Sequence, residues 1–118
     1  MTSEAPAPFY HPTEAEFARI LDFYGIPWEY EPRSFVLERD LEGNVAEAFT
    51  PDFYLPDQDL YVELTTMQPH QIRHKNRKLR RLREIYPDIH IKLFKRGDIR
   101  ALMIKFGVNY PGMMDNEP

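Results

Sequence analysis

Apolar and polar residues alternate in two short segments near the middle of the chain, residues 50–55 and residues 60–65. Aromatic and β-branched side chains are frequent in both segments, and the turn-forming sequence Pro-Asp-Gln-Asp lies between them, a combination typical of a β-hairpin. Pairing around this turn predicts one apolar face that is suited to a hydrophobic core. That face consists of Phe53, Leu55, Leu60, Val62 and Leu64.

The same register places two carboxylates, those of Asp52 and Glu63, directly opposite each other. Two acids in this position, with Cβ atoms about 5 Å apart, destabilise a sheet unless a positive charge offsets their repulsion. A hard divalent cation is the natural candidate, because one or two carboxylates commonly hold Mg²⁺. The alternative is that Asp52 is a turn residue and Glu63 a solvated surface acid. A slip of one residue would turn either acid toward the core.

The spacing of apolar residues predicts a first helix over residues 12–24. Glu14 lies on the margin of its apolar stripe, one turn before Phe17. A favourable interaction with the helix dipole is the alternative to a role of Glu14 in a functional site. The stripe itself consists of Phe17, Ile20, Leu21 and Tyr24.

A second helix is predicted over residues 69–86, with Ile72, Leu79, Leu82 and Tyr86 as its buried stripe. Lys75 falls on this stripe and Lys78 flanks it. A lysine that faces a sheet needs a partner, which the hairpin carboxylates or a phosphate group would supply. The alternative is that the aliphatic stem packs while the ammonium group reaches solvent.

Seven basic residues occupy the eleven positions from 73 to 83, and no acid follows before Glu84. Repulsion within such a run costs stability unless a polyanion accepts the charges. A phosphate backbone is the obvious partner, and binding to it weakens as the salt concentration rises. A solvated helix face is the alternative. The arginines predicted to contact nucleic acid are Arg73, Arg77, Arg80, Arg81 and Arg83.

The remaining pattern predicts a first strand over residues 28–37, with an irregularity at Pro32, and a fourth strand over residues 89–94. Residues 45–49 are predicted to lead into the central hairpin. A last helix is predicted over residues 98–106. The element order is therefore α-β-β-β-α-β-α, an α/β fold with a central mixed sheet flanked by helices.

The chain of 118 residues is long enough for one domain, predicted over residues 12–106 between flexible tails at 1–11 and 107–118. It has no cysteine, which excludes disulfides and thiolate metal sites and fits a reducing cytoplasmic location. No apolar run has the length of a membrane span, so we expect no membrane partner. Formal charge is −11 over residues 1–63 and +7 over residues 64–118, which predicts an acidic site facing a basic surface.

An acid in the first helix at Glu14, the pair Pro51 and Asp52, and the triplet that begins at Glu63 resemble the PD-(D/E)XK nuclease superfamily. Restriction enzymes, Holliday-junction resolvases, RecB-type nucleases and TnsA-like transposase subunits belong to this group. The resemblance covers about residues 12–105 and implies a restriction endonuclease-like core. It implies that Mg²⁺ or Mn²⁺ is held by Asp52, Glu63 and the carbonyl group of Leu64, with help from Glu14, or from Glu16 in its place.

The third motif of the superfamily ends in lysine, whereas the triplet here is Glu63, Leu64 and Thr65. Some members carry the equivalent amine on the following helix, which would be Lys75 or Lys78 in this chain. The catalytic residues implied by the resemblance are therefore Asp52, Glu63, Lys75 and Lys78.

These features together predict an Mg²⁺-dependent phosphodiesterase, an endonuclease that acts on DNA. Because the sequence shows no appended recognition domain, we expect cleavage to be selective for DNA structure or directed by a partner protein or by homodimerisation. The first alternative is a non-catalytic nucleic-acid-binding or assembly module on the same fold. The second is a small interaction protein whose acidic half meets a basic partner.

Overall fold

The computed structural model describes residues 9, 12–65, 68–95, 98 and 101. This part of the chain forms a mixed α/β structure, which confirms the predicted fold class. Its elements in chain order are α1 (Pro12–Phe23), β1 (Glu29–Tyr30), β2 (Phe35–Arg39), β3 (Val45–Phe49), β4 (Phe53–Leu55), β5 (Leu60–Leu64), α2 (Pro69–Ile85) and β6 (Ile91–Phe94).

Four strands form a mixed sheet in the order β1-β4-β5-β6. The hairpin of β4 and β5 has the predicted register, with Phe53 opposite Val62 and Leu55 opposite Leu60. β5 pairs in parallel with β6 because α2 provides the crossover between them. The C-terminal end of β5 therefore lies between β6 and the residue that precedes β4, which is Asp52.

The sheet has a hydrophobic core on each face. α1 packs against one face, where the rings of Phe17 and Phe53 meet edge to face at a centroid distance of 5.1 Å. α2 and the β2–β3 pair cover the other face, where Leu79 and Leu82 are fully buried. Side chains alternate along β5, so Glu63 points to the side that α2 covers. Glu63 is only 6 % exposed, and the alternative of a solvated surface acid is wrong.

The predicted first strand over residues 28–37 is wrong in its extent, because it comprises two strands in different sheets. β1 joins the main sheet beside β4, whereas β2 pairs with β3 in a separate two-stranded sheet. The chain changes direction at Glu31, which has a φ of 46°, and Pro32 has no N–H for a sheet hydrogen bond. Residues 45–49, predicted as a lead-in segment, form β3.

Both described helices lie where the apolar period predicts them, and each ends one residue early. The helix predicted over residues 98–106 lies outside the described residues except for Asp98 and Ala101, which are helical. The predicted tails also lie outside them, except for Phe9, whose ring packs on Tyr30 at a centroid distance of 4.8 Å. In the described ranges no helix is long and apolar enough to span a membrane.

Candidate functional site

Asp52 and Glu63 lie together, as the hairpin register predicts, and each binds the backbone of the segment that carries the other. Glu63 Oε1 accepts a hydrogen bond from the Asp52 N–H at 3.2 Å. Asp52 Oδ2 accepts one from the Leu64 N–H at 2.9 Å. Asp52 is 8 % exposed, so both carboxylates are withdrawn from water. The N–H donors offset part of the repulsion between them.

The ammonium group of Lys75 reaches this pair from α2. Its Nζ donates to the carbonyl oxygen of Leu64 at 2.6 Å and lies 3.0 Å from Glu63 Oε2. The side chain of Lys75 is 27 % exposed. The ammonium group is therefore directed at the two acids. The alternative prediction, in which it reaches solvent, does not describe this arrangement.

Glu14 is the third acid near this position, and it is 9 % exposed. Its Oε1 accepts a hydrogen bond of 2.7 Å from the hydroxyl group of Tyr30 in β1. Its charge contributes to raising the pKa of both Asp52 and Glu63, so it belongs to the same electrostatic environment. We refer to Glu14, Asp52 and Glu63 as the acidic cluster.

Burial and like charge make ionisation of Asp52 and Glu63 unfavourable. Burial is the largest cause for Asp52 and the charge of Glu63 the next, and they raise the pKa of Asp52 to about 8. Burial also raises the pKa of Glu63, although the neighbouring Lys75 ammonium opposes that effect. Buried carboxyl groups with raised pKa values are characteristic of functional sites, because an added cation would stabilise their ionised form.

The donor types suit a hard divalent cation, since carboxylate and carbonyl oxygens are the usual ligands of Mg²⁺ and Mn²⁺. Thr65, directly after β5, is 6 % exposed, and its Oγ1 has no hydrogen-bond partner within the described residues. The carboxylates themselves are paired with protein donors. Among the described side chains, no three His, Cys, Asp or Glu residues are grouped so as to hold a metal ion.

Lys78, the second lysine predicted to supply the motif amine, points elsewhere. Its Nζ lies 4.0 Å from Glu47 Oε2 in β3. Arg77 also approaches that carboxylate, at 3.5 Å. The structure therefore brings Lys75, and not Lys78, to the acidic cluster.

The five predicted phosphate-binding arginines fall into groups with different contacts. Arg81 and Arg83 donate to backbone carbonyl oxygens, those of Leu37 at 3.1 Å and Ile91 at 2.8 Å. These two side chains tie α2 to β2 and β6. Arg73 and Arg80 are exposed and form neither a hydrogen bond nor an ion pair with another residue that the structure describes.

Sequence reasoning missed two residues of this region, Tyr30 and Glu47. Tyr30 lies next to Glu14 because β1 pairs with β4, which places Tyr30 opposite Phe53. A strand of only two residues gives no periodic signal, so nothing in the sequence indicated that pairing. Glu47 lies in residues 45–49, which were predicted to lead into the central hairpin and which form β3.

Comparison with known proteins gave no match to a protein-family model, to a curated protein or to a solved structure.

Proposed function

We propose that this chain is a divalent-metal-dependent phosphodiesterase, an endonuclease that acts on DNA. The observation that carries this proposal is the position of the Lys75 ammonium, 2.6 Å from the Leu64 carbonyl oxygen and 3.0 Å from Glu63. An amine beside two buried acids supplies the group that Thr65 does not provide at the end of β5. The proposal includes a restriction endonuclease-like topology and membership of the PD-(D/E)XK superfamily.

The acidic cluster and the carbonyl group of Leu64 would hold the Mg²⁺ or Mn²⁺ ion. When bound, such an ion lowers the pKa of a water ligand and polarises the scissile phosphate. Support comes from the raised pKa of Asp52, caused first by burial and next by the charge of Glu63, because a bound cation would stabilise the ionised carboxylate. Metal binding requires the deprotonated carboxylates and would therefore release protons near neutral pH.

The chain's own residues would complete the chemistry. Lys75 would donate a hydrogen bond to the attacking water or to the phosphate oxygen on which negative charge develops. Lys75 lies one turn before Leu79, which is fully buried. Tyr30 would fix the orientation of the Glu14 carboxylate before the substrate arrives.

The exposed arginines of α2, Arg73 and Arg80, support nucleic acid as the substrate. Contacts of this kind bind the phosphate backbone and position it, but they carry no sequence information. We therefore propose cleavage that is selective for the structure of the DNA or directed by a partner protein.

The test is cleavage of linear, nicked and branched DNA by the purified protein with Mg²⁺, with Mn²⁺ and with EDTA. The variants to compare are Asp52→Asn and Glu63→Gln, which keep the size of each side chain while removing its charge. Glu47→Gln is the matched control, because Glu47 is an acid that contacts α2 outside the acidic cluster. We expect metal-dependent cleavage in the wild type and in Glu47→Gln, and loss of cleavage in the other two.

A non-catalytic nucleic-acid-binding module is the competing proposal, favoured by Thr65 at the motif position and by the existing pairing of Glu63 with Lys75. A module of this kind would cleave no substrate. It would bind DNA in a salt-sensitive manner, and neither Asp52→Asn nor Glu63→Gln would change that binding. That result would overturn the nuclease proposal, as would cleavage that persists in both variants.

A further inference from the structure

Arg33 belongs to the loop between β1 and β2, and its guanidinium group lies over two aromatic rings. The guanidinium carbon is 4.3 Å from the centroid of the Phe35 ring and 6.0 Å from that of the Tyr86 ring. Cation–π contacts of this kind hold the group in place, because the face of an aromatic ring attracts positive charge. Arg33 itself is exposed, so its charge is accessible to a ligand from solvent.

The hydrogen-bonding capacity of Arg33 is unused within the described part of the chain. A guanidinium group has five N–H donors in its own plane, and stacking on a ring occupies none of them. The side chain of Arg33 forms neither an ion pair nor a hydrogen bond with another described residue. Arg81 and Arg83, in contrast, donate to backbone carbonyl oxygens. Arg33 is therefore held in position with its donors available to an anion.

The loop that carries Arg33 is bound to the segment that leads into β4. The Glu31 N–H donates to the Asp52 carbonyl oxygen at 2.8 Å, and the hydroxyl groups of Ser34 and Thr50 share a hydrogen bond of 2.5 Å. Arg33 lies between these two contacts, and two residues of chain span at most about 7 Å. The loop therefore borders the segment that supplies Asp52 to the acidic cluster.

Arg33 also stands at the end of the basic helix. Tyr86 directly follows the last residue of α2, the helix that carries the exposed Arg73 and Arg80. Thirteen residues of helix separate position 73 from Tyr86, which is a length of about 20 Å. A single carboxylate could neutralise one of these three arginines, whereas an extended polyanion could reach all of them. The phosphate backbone of DNA is such a polyanion.

We propose that Arg33 binds a phosphate group of the DNA backbone, so that the nucleic-acid interface extends from α2 to the loop before β2. This inference rests on the proposed function and adds a residue that positions its substrate. A guanidinium group binds phosphate through two parallel N–H···O bonds, and one that is already held on aromatic rings loses little freedom on binding. The contact positions the DNA without reading its sequence.

The test is DNA binding by the full chain in EDTA, so that the result does not depend on a metal ion. Fluorescence anisotropy of labelled linear and branched duplexes is measured over a range of salt concentrations. Arg33→Gln should reduce the slope of log affinity against log salt by about 0.9, which corresponds to a loss of about eightfold in affinity at about 0.1 M salt. Arg33→Lys keeps the charge and should keep the slope, but it should bind more weakly than the wild type because an ammonium group cannot pair bidentately.

Arg19→Gln is the matched control, because it removes the same single charge from another exposed arginine. Arg19 belongs to α1, which packs on the opposite face of the sheet from Phe35, and we expect its loss to leave the salt slope unchanged. Equal slopes in Arg33→Gln and Arg19→Gln would overturn the inference and leave the proposed function intact. So would an unchanged slope in Arg33→Gln with a loss of stability in urea, since Arg33 would then only cover the rings. A wild type that binds no DNA would overturn the proposed function and the inference with it.

Discussion

The Glu63 carboxylate accepts a hydrogen bond from the Asp52 N–H, and the Asp52 carboxylate accepts one from the N–H of Leu64, the residue after Glu63. The bonds of 3.2 Å and 2.9 Å fix both side chains without help from a ligand. Two buried acids held in this way retain their mutual repulsion, which stores an unfavourable free energy whenever both are ionised. The predictions below follow from that free energy and from the groups that reduce it.

The first prediction concerns the pH dependence of stability. Burial, and next the charge of Glu63, raise the pKa of Asp52 from its ordinary 3.8 to about 8 in the folded chain. Between these values the folded state keeps the proton that the unfolded state has lost. Its contribution to stability is therefore complete below pH 3.8 and is lost as the pH rises through about 8.

We expect the free energy of unfolding, measured with urea in EDTA, to fall between pH 5 and pH 8. One coupled proton gives a slope of at most about 1.4 kcal/mol per pH unit. Asp52→Asn has no carboxyl group to titrate, so its curve should be flatter over this interval. Equal slopes in the two proteins would show that Asp52 does not retain its proton on folding.

The second prediction concerns Lys75 and the stability of the fold. Lys75→Met removes the donor from Glu63 Oε2 and from the Leu64 carbonyl, and leaves a carboxylate that is 6 % exposed without its cation. We expect the free energy of unfolding at pH 8 to decrease by about 1–3 kcal/mol. Lys78→Met should cost less than about 1 kcal/mol, since its contact with Glu47 is longer and partly exposed. Equal losses in urea unfolding would contradict the central role assigned to Lys75.

The sequence alone predicted the centre of this site because several local patterns agreed there. Alternation on both sides of a four-residue turn determined the register that brings Asp52 to Glu63. Helical spacing placed Lys75 on the apolar stripe of α2 and Lys78 at its flank, and only the structure distinguishes the two, because Lys75 contacts Glu63 and Lys78 lies beside Glu47. Both inferences needed only neighbours along the chain.

The parts that were not predicted depend on contacts between distant segments. β1 joins β4 across more than twenty residues, and only that pairing brings Tyr30 near Glu14. The separate β2–β3 sheet was missed because the chain reverses at Glu31, whose positive φ is uncommon for a residue with a side chain. The contacts of Arg81 and Arg83 with backbone carbonyl oxygens were not predicted, because nothing in the run of basic residues distinguishes these two arginines from their neighbours.

The third prediction concerns Tyr30, whose hydroxyl group donates to Glu14 at 2.7 Å. Tyr30→Phe keeps the ring packing and removes this bond, so the Glu14 carboxylate loses part of its orientation. We expect the affinity for Mn²⁺, measured by calorimetry, to fall about tenfold, as is typical when a group that orients a metal ligand is lost. Tyr54→Phe is the control, because the Tyr54 hydroxyl binds the exposed Asp59 instead. Similar affinities for the two variants and the wild type would remove Tyr30 from the site.

The fourth prediction separates the arginines of α2 by function. Arg73→Gln combined with Arg80→Gln should weaken DNA binding, and should reduce the slope of log affinity against log salt by about 0.9 per lost phosphate contact. Arg83→Gln should leave that slope unchanged and lower the stability by about 1 kcal/mol, because Arg83 binds the Ile91 carbonyl oxygen. Fluorescence anisotropy over a range of salt concentrations measures the first effect, and urea unfolding measures the second. If Arg83→Gln lowers the salt slope as much as a change at Arg73 or Arg80, the contacts of Arg83 do not keep it from the DNA, and the whole basic run binds as one surface.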